Sequence, residues 1–268
     1  MNPLDTIILD DVQARTDHRD VEIEAVGIAD LRYPVGISGR DGATQRTVAT
    51  VAMDVDLPSH VRGTHMSRFV ELLHEQAADI APSQLGEAAD ELRRRLDSDR
   101  ARIVLDFPYF IERSAPVSGM SSLIDLEGHL AVASGQVGTS LEIAARVPVT
   151  SLCPCSKEIS DYGAHNQRGY VELYVRCLAS DPVWLEDLVE VAESSASAPI
   201  YPLLKRVDER HVTMQAYDNP VFVEDIVREA AIALRADERV LGFTASASNQ
   251  ESIHNHSAVA RVRWERDA

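Results

Sequence analysis

Val171-Glu172-Leu173-Tyr174-Val175-Arg176-Cys177 alternates apolar and polar side chains without a break. Successive side chains of a β-strand point to opposite faces, so this alternation predicts a strand with one buried face and one face toward solvent. Cys177 falls on the apolar side and is expected to be a buried strand residue. A strand of this kind is typical of an antiparallel sheet covered on one face.

The same alternation recurs on both sides of this stretch. Strands are predicted at 21–37 and 47–57, with a hairpin at 38–42, and further strands at 102–112, 122–133, 137–149, 169–177, 240–248 and 257–264. Helical spacing predicts a helix after Thr64 as N-cap and another over 85–96. Asp181-Pro182 and Asn219-Pro220 read as the N-cap and first residue of two more helices. The order of strands, then two helices, then strands occurs twice along the chain. This order predicts an α+β fold whose antiparallel sheets carry helices on one face.

Composition and charge exclude several classes of protein. The chain has 268 residues, of which 45% are hydrophobic and 26% charged, as is usual for a globular protein. A net charge of -17 weighs against nucleic acid or an anionic membrane as partner. No apolar run approaches the roughly 20 residues of a membrane helix, and the N-terminus lacks a secretion signal. The 3 cysteines do not suggest a disulfide framework, so we expect a cytoplasmic protein.

The densest chemistry lies in Cys153-Pro154-Cys155-Ser156-Lys157-Glu158 and Gly163-Ala164-His165-Asn166-Gln167-Arg168-Gly169. Thiolate and imidazole are ligands that transition metals prefer. Lys157 and Arg168 are cations of the kind that an anionic substrate needs. The segment therefore indicates a metal site, catalysis, or both, although buried inert thiols are also common.

Three other clusters could complete such a site. His254 and His256 would face one side if they lie on a strand, Lys205 to His211 is densely charged, and Arg62 to Arg68 surrounds a predicted helix start. Taken alone, each charged run is typical of a solvated surface. Taken together, the clusters predict a metal-dependent enzyme that acts on a phosphorylated small molecule.

The chain also resembles a known family, the GTP cyclohydrolase IB family (prokaryotic-type GTP cyclohydrolase I) of the tunnelling-fold superfamily. The resemblance spans about Asp11 to Trp264, with its motifs in order. Besides the two segments around Cys153 and His165, it rests on Arg62-Gly63-Thr64-His65-Met66-Ser67-Arg68-Phe69, Leu204-Lys205-Arg206-Val207-Asp208-Glu209, Asn219-Pro220-Val221-Phe222-Val223-Glu224-Asp225 and Ser252-Ile253-His254-Asn255-His256.

This resemblance implies tandem tunnelling-fold modules: antiparallel sheets with paired helices on one face, assembled into an oligomeric barrel. Residues 1–20 would form an N-terminal arm, 21–150 the first module and 151–268 the second, together one bimodular catalytic unit. The family implies a homo-oligomer, typically a tetramer, with active sites between subunits.

The reaction implied is the first step of tetrahydrofolate biosynthesis, in which GTP and water give 7,8-dihydroneopterin triphosphate and formate. This is hydrolysis of a C–N bond in a cyclic amidine, and a metal ion would activate the water that attacks purine C8. By resemblance, Cys153, Glu209 and His254 hold a divalent ion (manganese, iron or zinc). His165 is either a further ligand or the acid that protonates the imidazole ring of the base.

The resemblance also implies the residues that hold GTP. Glu224 would grip the guanine edge through paired hydrogen bonds. The candidates for the triphosphate are Lys157, Arg168, Lys205, Arg206, Arg62 and Arg68. Cys155 and His256 either support the site or are structural.

Two other hypotheses remain open at the level of sequence. Another tunnelling-fold enzyme could use Cys153 as a covalent nucleophile toward a nitrile-bearing deazapurine and need no metal. A non-catalytic protein could hold a structural metal, although structural zinc sites are usually closed sets of four ligands rich in Cys.

Overall fold

The computed structural model describes residues 10–136 and 138–267. In these ranges the nine strands are β1 (Ile23–Ser38), β2 (Thr44–Leu57), β3 (Ala101–Ser114), β4 (Ser121–Gly135), β5 (Gly138–Leu152), β6 (Asn166–Cys177), β7 (Ala198–Pro199), β8 (Val240–Gln250) and β9 (Ser257–Glu265). The α-helices are α1 (Met66–Gln76), α2 (Leu85–Leu96), α3 (Pro154–Ile159), α4 (Leu185–Ser194), α5 (Arg206–Asp218) and α6 (Val223–Ala236), and Pro82–Gln84 forms a 3-10 turn. Residues 1–9 of the predicted N-terminal arm lie outside the described residues.

All nine strands belong to one antiparallel sheet. Its order is β1-β2-β3-β4-β5-β6-β8-β9, and the short β7 pairs with β5. The β1–β2 hairpin closes where it was predicted, and its turn places Gly42 at φ 80, a conformation that glycine adopts without steric cost. Consecutive hairpins account for most of the sheet, which agrees with the strong alternation of the sequence.

Helices cover one face of this sheet and form the core with it. α2 packs against β3 and β4, α4 against β5, and α6 against β8 and β9. Fully buried side chains from both layers meet there, among them Phe69, Leu92, Leu130, Leu188 and Ile226. Cys177 is completely buried on β6, as its place in the alternating stretch predicted.

The fold prediction of tandem tunnelling-fold modules with separate sheets is wrong. β5 pairs with β6 from Leu141 to Leu152, so the strands of both halves form a single continuous sheet. The helices that pack on this single sheet cover different strands of it. The predicted division at residue 150 falls inside β5 and stays a prediction.

Several predicted helix starts are also corrected. His65, not Thr64, is the N-cap of α1. Asp181-Pro182 and Asn219-Pro220 precede helices, but α4 begins at Leu185 and α6 at Val223. The charged run after Lys205 lies on a helix, α5 (Arg206–Asp218). Among the described residues, no helix has both the length and the apolar character needed to cross a membrane.

Candidate active site

Strand register brings four distant segments to one end of the sheet. Leu152 at the end of β5 pairs with Asn166 at the start of β6, and Gly169 of β6 pairs with Asn249 near the end of β8. Val221 N donates to Leu152 O over 3.1 Å, which fixes the approach to α6 beside them. The result is a cleft of about 420 Å³. Its lining includes Ser151, Cys153, Cys155, Ser156, His165, Gln167, Phe222, Glu224, Asn249, Glu251, Ile253, His254 and His256.

Cys153 stands at the N-cap of α3, where β5 ends, and it is half-buried. Its N–H donates to His165 O over 3.1 Å, and Ser156 Oγ donates to Cys153 O over 3.1 Å. His165 N in turn donates to Ser156 Oγ over 3.1 Å. These bonds hold the Cys153 and His165 backbones side by side. Cys155 also lines the cleft but is exposed.

The ring of His165 is held by a short polar network. Its Nδ1 lies 2.6 Å from Gln167 Oε1, 3.4 Å from Ser252 Oγ and 3.8 Å from Glu251 Oε2. Gln167 Nε2 donates to Glu251 Oε1 over 3.2 Å. His165 is therefore tied on its Nδ1 side to a carboxylate that reaches the cleft from the end of β8.

His254 and His256 both line the cleft, but they do not lie on a strand as predicted. They belong to the connection at 251–256 between β8 and β9, and both are exposed. Their rings stack at a centroid distance of 5.1 Å. Because this connection has only a few residues, both side chains face the same space even though neither residue lies on a strand.

Glu224 is the second residue of α6 and lines the cleft with an exposed carboxylate. Ser151 Oγ donates to Val221 O over 3.3 Å, which adds a second tie between β5 and the segment before α6. The structure thus brings together four of the predicted site residues: Cys153, His165, Glu224 and His254.

The other predicted site residues do not line this cleft. Glu209, Lys205 and Arg206 lie at the N-terminal end of α5. The C-terminal end of that helix lies beside α3, because Lys157 Nζ contacts Tyr217 O and lies 4.2 Å from the Tyr217 ring centroid. At a rise of about 1.5 Å per residue, Arg206 is roughly 16 Å further along the helix axis than Tyr217.

The remaining predicted cations are held elsewhere. Arg168 alternates with the cleft-lining Gln167 on β6 and is exposed on the opposite face. Arg68 Nη1 donates to Arg95 O over 2.6 Å, which ties α1 to α2. Arg62 N donates to Arg15 O over 3.2 Å in the segment before α1. Among the described residues, the lining of the cleft includes no Lys or Arg.

Sequence reasoning missed Gln167, Asn249 and Glu251. Gln167 lies on β6, but His165 directly precedes that strand and both residues precede the predicted strand at 169–177, so strand alternation gave no signal for Gln167. Asn249 and Glu251 reach the site only through the pairing of β8 with β6, which no local pattern reveals.

The donor set of the cleft fits a divalent transition metal in its chemistry. A thiol, imidazoles and carboxyl groups line one space, and this mixture suits several divalent ions. In residues 10–136 and 138–267, however, no three His, Cys, Asp or Glu side chains lie close enough together to hold an ion. The donors share a cleft without converging on one point.

Solved structures of uricase share the fold. Uricase from Arthrobacter globiformis aligns with a TM-score of 0.51 at 8% identity, over 91% of this chain and 94% of the uricase chain. A hyper-thermostable AgUricase mutant aligns with a TM-score of 0.52 at 9% identity, over 91% and 92%. The fold is therefore uricase-like, and the cleft at the end of its sheet carries the thiol, imidazole and carboxyl groups of an enzyme.

The family model described as type I GTP cyclohydrolase folE2 matches residues 9–260. GTP cyclohydrolase FolE2 of Nitrosococcus oceani is 47% identical over 272 residues, which covers 99% of this chain and 100% of the relative. The FolE2 proteins of Magnetococcus marinus and Geobacter sulfurreducens are 48% and 45% identical, over 95% and 96% of this chain and 95% and 98% of their own lengths. The chain belongs to the type I GTP cyclohydrolase FolE2 family.

This membership corrects one prediction and confirms another. The assignment to the GTP cyclohydrolase IB family of the tunnelling-fold superfamily is replaced by the FolE2 family, on the strength of the matching model and relatives. The predicted function is confirmed: the chain is a GTP cyclohydrolase that acts in the first step of folate biosynthesis.

Proposed function

We propose that this GTP cyclohydrolase converts GTP and water to 7,8-dihydroneopterin triphosphate and formate in the cleft between β5, β6, β8 and α6. The observation that supports this proposal is the meeting of Cys153, His165, Glu224 and His254 in that cleft. Cys153 and His254 are 101 positions apart in the sequence, and the cleft of about 420 Å³ has room for a purine base. Opening of the imidazole ring requires attack by water at C8 and proton transfers, which acid–base groups provide.

Cys153, His254 and His165 would hold a divalent metal ion. Because Glu209 lies at the end of α5 that is far from this cleft, it would join them as a further ligand from a second copy. The mixed set of sulfur, nitrogen and oxygen donors suits manganese, iron or zinc. When bound, such an ion lowers the pKa of water and so supplies a nucleophile for C8 at neutral pH.

The carboxylate of Glu224 orients the base. The guanine edge presents N1–H and the exocyclic amine as neighbouring donors, and two carboxylate oxygens accept from such a pair. Glu224 lies on the first turn of α6, whose start is tied through Val221 to the end of β5, so the backbone of this turn is held near the segment that carries Cys153. His165, which lines the same cleft just before β6, acts as a further ligand or as the acid that protonates the imidazole ring of the base.

The triphosphate needs cations. Because the described lining of the cleft includes no Lys or Arg, these cations must come from residues outside it. The chain has a net charge of -17, so the overall electrostatic field of the protein repels the GTP anion and cannot hold it. Lys205 and Arg206 lie at the far end of α5 from the helix terminus that approaches α3. We therefore include in the proposal a homo-oligomer, a tetramer, in which a second copy supplies cations to each site.

The test is turnover of GTP by the purified protein with Mn²⁺, Fe²⁺ or Zn²⁺, read as a fluorescent pterin after oxidation and as formate release. Cys153→Ala is expected to abolish both signals while circular dichroism and the unfolding temperature stay close to those of the wild type. Cys155→Ala is the matched control, because it removes a neighbouring exposed thiol. Full turnover by Cys153→Ala would show that the ligand assignment is wrong.

A further inference from the structure

Gln167 joins His165 to Glu251 through its side-chain amide. Its Oε1 lies 2.6 Å from His165 Nδ1, and its Nε2 lies 3.2 Å from Glu251 Oε1. The residue is only 8% exposed, so water cannot readily replace either bond. A buried amide with two specific partners fixes both of them in orientation.

The partners determine which way the amide points. An ionised carboxylate only accepts hydrogen bonds, so the NH₂ group of Gln167 must face Glu251. A second contact agrees, because Ser252 N donates to Gln167 Oε1 over 3.5 Å. The opposite orientation would set amide oxygen against carboxylate oxygen. Gln167 Oε1 is therefore the atom that faces His165.

An amide oxygen also only accepts, and this fixes the tautomer of His165. The 2.6 Å contact between Gln167 Oε1 and His165 Nδ1 requires that Nδ1 carry the hydrogen. In the neutral ring the lone pair is then on Nε2. Nε2 has no hydrogen-bond partner among the described residues, and His165 lines the cleft.

We propose that Gln167 is a positioning residue that holds neutral His165 in the Nδ1–H tautomer and so presents the Nε2 lone pair to the cleft. This inference rests on the proposed function for its consequence in catalysis, but the tautomer itself does not depend on turnover. A lone pair on Nε2 can bind a metal ion, or it can take up the proton that His165 would then deliver as an acid. The other tautomer would place an N–H there, which can neither bind a metal ion nor take up a proton.

The test compares Gln167→Met with the wild type. Methionine keeps the length and burial of the side chain, but its thioether sulfur is only a weak acceptor for the Nδ1 hydrogen. The matched control is Gln215→Met on the exposed face of α5, which changes the same residue type away from the cleft. A second variant, Gln167→Glu/Glu251→Gln, exchanges the amide and the carboxylate, so that an acceptor again faces Nδ1 and an amide NH₂ again faces the carboxylate, and it serves as the rescue.

The first measurement is the ¹⁵N ring spectrum of metal-free protein labelled at histidine, at a pH where the imidazole is neutral. Magic-angle-spinning spectra do not depend on the size of the assembly, and the His165 signals are identified by their loss in His165→Gln. Wild type, Gln215→Met and Gln167→Glu/Glu251→Gln should show the hydrogen on Nδ1. Gln167→Met should show a shift of population to the Nε2–H form.

The second measurement is Mn²⁺ affinity, from competition with a chelating dye. Gln167→Met is expected to weaken the Mn²⁺ affinity about 10- to 100-fold, as is typical when the hydrogen-bond partner of a metal-binding histidine is replaced. Gln215→Met should leave the affinity unchanged. Unchanged ring spectra in Gln167→Met would overturn the proposal, as would Nε2–H in the wild type. If the wild type lacks GTP turnover, the proposed function fails, but the spectra still decide the role of Gln167.

Discussion

Asp208 of α5 and Ser118 of the β3–β4 connection are joined by two hydrogen bonds. Ser118 N donates to Asp208 Oδ1 over 2.8 Å, and Ser118 Oγ donates to Oδ2 over 2.6 Å. Val117 N and Lys205 N complete the set at 2.8 and 2.9 Å, and the carboxylate is fully buried. This carboxylate therefore anchors the end of α5 that carries Lys205, Arg206 and Glu209.

Asp208→Asn is expected to lower the free energy of unfolding by about 3 kcal/mol, because one buried oxygen becomes an NH₂ group that faces N–H and O–H donors. Asp218→Asn, at the exposed end of the same helix, should change it by less than about 0.5 kcal/mol. Urea unfolding followed by circular dichroism measures both. An equal, small effect of the two substitutions would show that the four bonds do not contribute.

The same carboxylate predicts a dependence of stability on pH. Burial of Asp208 raises its pKa, but the hydrogen bonds from Ser118, Lys205 and Val117 outweigh burial and hold the pKa below the ordinary value of 3.8. A carboxyl whose pKa is lowered by folding stabilises the protein above its unfolded pKa, and that contribution is lost as the pH falls through the folded pKa. The difference in unfolding free energy between wild type and Asp208→Asn should be constant from pH 7 to about 5 and shrink below about 4. A difference that grows on acidification would contradict this assignment.

Gly169 is required by the close approach of Asn249. A Cβ at position 169 would lie 2.3 Å from Asn249 Oδ1, and Asn249 is itself buried with its Nδ2 donating to Ser151 Oγ over 2.9 Å. Gly169→Ala should cost about 1–3 kcal/mol and lower kcat/KM by displacing a cleft-lining residue. Gly163→Ala is the control from the same motif, because nothing lies within 4 Å of its Cβ position. Equal unfolding midpoints for the two variants would refute the steric argument.

Local alternation predicted the strands well but could not predict which strands pair. Hydrophobic spacing reports which face of a strand is buried, and this placed Cys177 correctly in the core. The pairing of β5 with β6 spans α3 and the residues after it, and nothing in the spacing of either strand specifies it. For that reason two sheets were expected where the chain forms one.

Helix starts failed for a specific chemical reason. At α4 and α6 the predicted caps were Asp181 and Asn219, but Trp184 N and Phe222 N instead donate to carboxylates three residues later, Asp187 and Asp225, over 3.0 and 3.1 Å. This bond is half of a capping box, with an acidic residue at N3 and no polar side chain at the N-cap. An Asp three residues after an aromatic residue would therefore have predicted these two helix starts better than Asp181 and Asn219 did.

The candidate site was predictable to the extent that it is local. Cys153 and His165 lie in one motif and are held together by backbone hydrogen bonds. Glu251 entered the site unpredicted, because it approaches His165 only after β8 has paired with β6. Glu209 was predicted by resemblance alone, and its helix is anchored to the β3–β4 connection instead of to the cleft.

Removal of metal should abolish turnover with little effect on the fold. The proposed ligands line a cleft at the end of the sheet, whereas the core is formed by the buried residues between sheet and helices. Chelation followed by gel filtration is expected to eliminate pterin formation, and Mn²⁺, Fe²⁺ or Zn²⁺ should restore it. The unfolding temperature of the chelated protein should fall by only the amount that ligand linkage predicts. Full activity after chelation would favour a covalent role for Cys153.

Hybrid oligomers test whether two copies share each site. Cys153→Ala disables the cleft, and the double variant Lys205→Ala/Arg206→Ala removes the cations at the far end of α5. If these groups serve the cleft of another copy, each variant alone is inactive, but a co-expressed mixture contains sites in which both halves are intact. Random assembly at equal amounts makes about one quarter of the sites intact, and turnover should recover to roughly that fraction of the wild type. If the mixture is as inactive as each variant alone, Lys205 and Arg206 must reach the cleft of their own chain. The hydrogen bonds of Asp208 that hold this end of α5 would then have to break.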